Sequence, residues 1–217
     1  MIECHIVSLF KEILPPYLDI SIMKRAQEKG LFHYSMYNLA DWSIRHTRRS
    51  DDRPYGWGAG TILMVEPLYN IIKNIEELHG TMKKIYFSPR GTLMNQSYVE
   101  GIIDSWVEKF LLICGHYEGI DERIFTFFDI EEISIGEYVL SSGELASLVW
   151  IDAIIRMIPG VIESESLKEE SFSLSLDRKK EYPQYTRPET FLGEQVPPPL
   201  LSGNHATIRE WKQKHTK

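Results

Sequence analysis

Cysteine is scarce in this chain. Its 217 residues hold two, Cys4 and Cys114, with no CxxC spacing, which excludes a disulfide framework and fits a reducing cytosol. Both lie inside apolar strand-like runs and read as small buried hydrophobes. Long hydrophobic runs are also missing. The longest candidate, 145–158, is broken by Ser147, Asp152 and Arg156 and falls short of the ~20 residues of a membrane span. The opening MIECHIVSLF has no basic leader and reads directly as a strand, so neither a secretory signal nor a membrane partner is expected, and the expected location is the cytoplasm. The seven histidines form no HExxH and no Cys/His cluster, which argues against a zinc site, and no metal ligands are assigned. GxSxG and the phosphate-binding GxxxxGK[ST] are absent as well. GWGAG at 56–60 superficially matches a dinucleotide fingerprint. However, it follows DDRPY where a strand is required and precedes ILMV where a helix is required, so it reads as a loop or as a flap able to close on a polar partner.

What is present is ordinary in bulk and uneven in detail. Hydrophobic residues make up 43% and charged residues 25%, as in a soluble globular protein with a sizeable core. The net charge of −7 hides an asymmetry. Residues 178–217 carry eight Lys or Arg against four Glu, a surplus of four that leaves −11 on the rest. A second basic knot, Arg45, Arg48, Arg49 and Arg53, sits beside Asp51 and Asp52. Local basic patches on an acidic body suit one specific polyanion, although either patch alone also reads as solvated surface.

Apolar runs at 3–10, 31–39, 62–65, 84–88, 110–114 and 132–135 read as strands. Between them, 23–29, 67–80, 95–109 and 122–128 read as helices, and a long helix over 143–158 is stopped by Pro159-Gly160. Alternation of this kind predicts an α/β fold with a mostly parallel sheet covered on both faces. From 161 to 180 the composition turns to Glu, Ser and Lys and reads as a linker. The proline- and aromatic-rich stretch that follows is expected to be extended, after which Asn204 caps a last basic helix over 205–214.

Two strands end in glycine-bearing polar loops that feed helices: LLICG into HYEGIDER, and EEISI into GEYVLSSGE. In open α/β sheets such strand ends hold ligands. Gly115 and Gly119 let backbone approach closely, and Glu118 offers a carboxylate to ribose hydroxyls or an ammonium. Asp121 and Glu122 also read as the start of a helix. Backbone donors over 135–140 suit an adenine edge, walled by Tyr138 and Leu140. Asp152 and Arg156 are i, i+4 neighbours on a nearly apolar helix, which leaves open a structural ion pair or an Arg156 aimed into the site.

Together DDRPYG, FSPRG, CGHYEGIDER, SIGEYVLSSGE, IDAIIRMIPGV, EYPQYTRPE and LLSGNHATIREW resemble, in family order, the bacterial tRNA (guanine-N1)-methyltransferases of the SPOUT superfamily. The resemblance covers essentially the whole chain. It implies a SPOUT-type sheet with a deep C-terminal trefoil knot and a small helical C-terminal domain, with boundaries expected at 1–160, 161–180 and 181–217. It implies methyl transfer from S-adenosyl-L-methionine to N1 of the guanosine on the 3′ side of the anticodon, position 37. It further implies tRNA as partner, a homodimer with shared active sites, and Mg²⁺ as an ion that assists. Cofactor contacts fall on Tyr86, Ser88, Pro89, Gly115, Tyr117, Glu118, Gly119, Ile135, Gly136, Glu137, Tyr138, Val139, Leu140, Ser142 and Gly143. Arg156 is the implied cation beside the base, and the general base is Glu170 or Glu169 from the partner subunit. Three departures motivate a second reading, a catalytically weakened cofactor- and RNA-binding relative: Glu170 stands where the family has Asp, Trp57 and Ser142 replace glycines, and the chain ends sooner than relatives.

Overall fold

The computed structural model describes all residues, Met1 to Lys217, and they cluster into two compact units, Met1–Ile162 and Glu163–Lys217. The first unit runs β1 (Ile2–Ser8), α1 (Pro15–Leu18), α2 (Ser21–Glu28), β2 (Phe32–Asn38), β3 (Asp51–Asp52), β4 (Ile62–Leu63), α3 (Val65–His79), β5 (Lys83–Leu93), α4 (Gln96–Asp104), β6 (Lys109–Ile113), α5 (Ile124–Phe127), β7 (Ile130–Ser134) and α6 (Gly143–Ile155).

Five strands form one sheet in the order β2-β1-β6-β5-β7, and every pairing in it is parallel. Alternation along β1 explains the two cores. Cys4 and Ile6 face a cluster containing Ala26 of α2, Val99 and Ile102 of α4 and the buried face of α6, with Trp150 edge-on to Phe110 at 5.0 Å. Val7 faces the opposite cluster, built from Leu68, Ile71, Ile72 and Ile75 of α3 with Ile124 of α5. Helices therefore cover both faces, which is why these strands read as unbroken apolar runs.

Three expectations need correction. The run at 62–65 is not a sheet strand: Ile62–Leu63 pairs antiparallel with Asp51–Asp52 in a separate two-stranded ribbon. Hydrophobicity marks Leu63 as buried but cannot say in which sheet, and the ribbon is set by charged Asp51-Asp52 on its other strand. Second, β5 is much longer than 84–88. Phe87 and Thr92 both stand opposite Ile133, so residues 88–91 bulge out of the sheet before pairing resumes. Third, α4 and α6 end earlier than expected, at Asp104 and Ile155. The caps agree with the sequence: the Asn95 side chain accepts from Tyr98 N–H at 2.9 Å.

The second unit contains α7 (Ser164–Lys168), a hairpin of β8 (Thr190–Phe191) and β9 (Glu194–Gln195), α8 (Pro198–Leu201) and α9 (His205–His215). The stretch read as a linker thus carries a helical turn at Ser164–Lys168 and a 3-10 turn at Leu174–Leu176. The proline-rich segment is extended as far as Pro197 but then turns helical, because Pro198 and Pro199 occupy the first helical positions, where no N–H is needed. Asn204 caps α9 by accepting from Ala206 N–H at 3.0 Å.

Candidate active site

Three chain segments meet at the bulge of β5 and the carboxyl ends of β6 and β7 and enclose a cavity of about 420 Å³. From β5 come Tyr86, Ser88 and Pro89; from the loop after β6, Gly115, Tyr117, Glu118 and Gly119; from the β7–α6 connection, Ile135, Gly136, Tyr138, Val139, Leu140, Ser142 and Gly143. All of the cofactor residues assigned from sequence line this cavity except Glu137. Phe87, Arg90, His116, Ile120, Glu122, Ile133, Ser134, Ser141 and Ala146 complete it.

The segments are fastened by backbone. Gly143 N–H donates to Gly115 O at 2.8 Å, and His116 and Ser142 form an antiparallel bridge. A Cβ on Gly143 would lie 2.8 Å from Cys114 Cα, and one on Gly115 would lie 2.8 Å from the Tyr86 ring. Side chains larger than hydrogen are excluded there, so backbone rather than side chain forms the wall. Beneath α6, Ser8 donates its hydroxyl to the fully buried Glu144 at 2.6 Å, tying the helix start to the end of β1.

Charge is concentrated on one side. Arg90 donates to Glu122 Oε2 at 3.1 Å and lies 3.5 Å from Glu132 Oε1. Burial, reinforced by Glu132, pushes the Tyr86 phenol up to about 12, so it stays protonated. Asp121 accepts from the Arg123 side chain at 2.7 and 2.9 Å and from its backbone N–H at 3.0 Å, and the Arg123 contact holds its carboxyl below the usual range. Asp121 stands ahead of α5, whose N-cap is Arg123. Glu118 is zipped to the glycine-rich loop: its N–H donates to Thr61 O at 3.0 Å, and its side chain lies where a Gly60 Cβ would be. Tyr117 and Glu118 also line a neighbouring depression of about 880 Å³ with Arg53, Tyr55 and Trp57, whose rings are almost wholly exposed.

The catalytic candidates are not among the residues that line this cavity. Arg156 caps the end of α6 and lines a further depression with Gln96, and Ile135, Tyr138 and Leu140 line both that depression and the first cavity. Asp152 accepts the Tyr17 hydroxyl at 2.7 Å, which raises that phenol to about 12. In the second unit, Glu169 Oε2 accepts from Lys212 Nζ and from the Tyr182 hydroxyl, both at 2.7 Å, and Lys212 above all holds the carboxyl below its ordinary range. Glu170 follows it and is half-buried. The arginine knot is largely paired: Arg45 with Asp52 at 2.8 Å, Arg49 with Asp51 at 3.4 Å, and Arg48 with Asp41. Sequence reasoning passed over Arg90 among the cavity residues, although FSPRG at a strand end was the available signal.

A family model described as tRNA (Guanine-1)-methyltransferase TrmD matches residues 2–217. A tRNA (guanine-N(1)-)-methyltransferase of Clostridioides difficile (strain 630) is 47% identical over 215 residues, 98% of this chain and 91% of the relative. Its counterpart in Dictyoglomus turgidum is 42% identical across 99% of this chain and 84% of the relative. That of Citrifermentans bemidjiense is 43% identical across 96% and 82%.

Proposed function

The chain belongs to the tRNA (guanine-1)-methyltransferase (TrmD) family, and from that premise we propose how its residues carry out the transfer. It is a tRNA (guanine-N1)-methyltransferase, and identities of 41–47% to relatives of that name do not favour the catalytically weakened alternative. The donor is S-adenosyl-L-methionine, the acceptor is the guanosine at position 37, and the site is completed by a second copy of the chain in the cytoplasm. The strand-end loops are threaded as a trefoil knot. Residues 1–160 form the donor-binding domain, 161–180 the segment that carries the base, and 181–217 the tRNA-holding part.

The observation that carries this reading is the backbone-walled cavity. Its volume of about 420 Å³ lies in the range of small-molecule sites, and the tight approaches at Gly115 and Gly143 leave room for a bent nucleoside but not for side chains. Bound there, S-adenosyl-L-methionine supplies a methyl group already activated by its sulfonium. What remains is to orient the guanine and make its N1 nucleophilic.

N1 carries a proton, and a carboxylate within hydrogen-bond reach must take it as the methyl arrives. Glu170 of the partner subunit fills that role. Its neighbour Glu169 is committed to Lys212 and Tyr182, and a carboxylate held ionised by two donors is a poor base. Arg156 offsets the negative charge that develops on O6. Of the two acidic residues that line the cavity, Glu122 is paired with Arg90 and Glu118 stands against Gly60, and no step is assigned to Mg²⁺. A guanosine turned out of its loop reaches such a site, as base-modifying enzymes require.

The test is a pair of isosteric changes. Single-turnover methyl transfer from labelled donor to a tRNA transcript is expected to fall about 10²–10⁴-fold in Glu170→Gln and less than about tenfold in Glu169→Gln. Equal rates near wild type in both would discard Glu170 as the base.

A further inference from the structure

At the opposite end of the sheet from the cavity, β1 and the last turn of α3 bring Glu3, His5 and His79 together. One ligand-type atom from each lies within 4.8 Å of the other two. His5 is fully buried, and Glu3 and His79 are half-buried, so the cluster opens toward solvent on one side. Glu3 and His5 alternate onto the α3 side of β1, the side that carries Val7.

The hydrogen bonding inside the cluster is incomplete in a specific way. His5 Nδ1 is 2.9 Å from the Tyr37 hydroxyl, which is also 3.2 Å from His79 Nε2. His5 Nε2 lies 3.1 Å from Glu3 Oε1, yet it is buried with no hydrogen-bond partner. A buried polar nitrogen left in that state is costly unless something binds it. The Tyr37 hydroxyl is a hydrogen-bonding partner that orients His5 through Nδ1, the nitrogen a ligand would not use. Lys109 donates to the His79 backbone carbonyl at 2.8 Å and stands 3.9 Å from Glu3 Oε2, steadying the end of α3 and the Glu3 carboxylate.

We propose that Glu3, His5 and His79 form a binding site for one divalent transition-metal ion of Zn²⁺-like chemistry, which clips the start of β1 to the end of α3. Two imidazoles and one carboxylate are a standard Zn²⁺ donor set, with a water in the fourth position. The site adjoins none of the cavities described above, so its role is structural. Sequence spacing could not reveal it, because the two histidines stand on different elements and meet only after β1 and α3 have packed.

The test uses full-length protein freed of metal with a chelator, then titrated with Zn²⁺ or Co²⁺ chloride. One equivalent is expected to bind saturably, Co²⁺ is expected to acquire visible d–d absorption, and the melting temperature is expected to rise with free Zn²⁺ as binding to the native state requires. His79→Gln, at the half-buried end of α3, is expected to weaken binding at least tenfold while the metal-free protein keeps its circular dichroism. Glu3→Gln provides the same readout should His79→Gln fail to fold. Absence of saturable uptake, or uptake that neither substitution weakens, would overturn the assignment and leave the cluster a hydrogen-bonded network only.

Discussion

Replacing Gly143 with Ala isolates the contact on which the cavity depends. The added Cβ would stand 2.8 Å from both Cys114 Cα and Gly115 N, against 3.4 Å for an ordinary close contact, so backbone must shift by at least about 0.6 Å. Neither side yields easily. Gly143 N–H is bonded to Gly115 O at 2.8 Å, and Cys114 N–H to Val7 O at 2.9 Å. Overpacking of this kind costs about 1–3 kcal/mol, and loosening one of those bonds adds about 1 kcal/mol, for a total of about 2–4 kcal/mol. For a chain of this size that lowers the melting temperature by about 4–16 °C. Because both residues line the cavity, affinity for S-adenosylhomocysteine in isothermal titration is expected to fall at least tenfold. Gly101→Ala is the internal control: it lies within α4 with nothing inside 4 Å of its Cβ, and is expected to stabilise by about 0.5–1 kcal/mol. A Gly143→Ala protein melting within about 2 °C of wild type with unchanged ligand affinity would refute the close-approach argument.

Three further outcomes follow from contacts of different depth. Ser8→Ala removes a donor from buried Glu144 and is expected to cost about 1–3 kcal/mol in urea unfolding; a cost under about 0.5 kcal/mol would mean the contact is replaced. Arg90→Gln breaks an ion pair with exposed Glu122 and a longer contact with half-buried Glu132 and should leave stability within about 0.5 kcal/mol, so a large loss in thermal melting would contradict the surface assignment. Asp121, whose carboxyl is depressed by Arg123, contributes stability that is present above the unfolded carboxyl pKa and is lost as pH falls through the lower folded value. Asp121→Asn should therefore flatten the acid limb of a stability–pH curve below about pH 4, and an unchanged limb would show that the pairing stores nothing.

How much the sequence foretold depends on whether the deciding contact was local. Strands such as Lys109–Ile113 are apolar at nearly every position because both faces are covered, and that signal needs no partner to be read. The cavity loops announce themselves through glycines at strand ends. Leu63 carries the same hydrophobic signal as a sheet residue, but its partner is Asp51, which no periodicity names. That Glu169 is held by Lys212, far along the chain, is invisible until α9 is placed. The arginines of the 45–53 loop look like a free basic patch when counted, yet Asp41, Asp51 and Asp52 answer three of them in space. Ion pairs made across loops leave no spacing rule behind.

The double meeting of β5 with Ile133 bears on how the protein emerges from the ribosome. Both ends of the 88–91 excursion, Phe87 and Thr92, are secured by the same residue of β7, and Gly91 is so close to it that a Cβ would lie 2.5 Å from the Glu132 carbonyl carbon. Nothing made earlier in translation can hold that excursion in place. At about 5–20 residues per second, the roughly 40 residues separating it from β7 amount to several seconds during which a nascent chain has most of its sheet but lacks the finished cavity. Whatever binds this cavity thus meets only chains synthesised well past their midpoint, and a truncation before β7 would leave the cavity unbuilt.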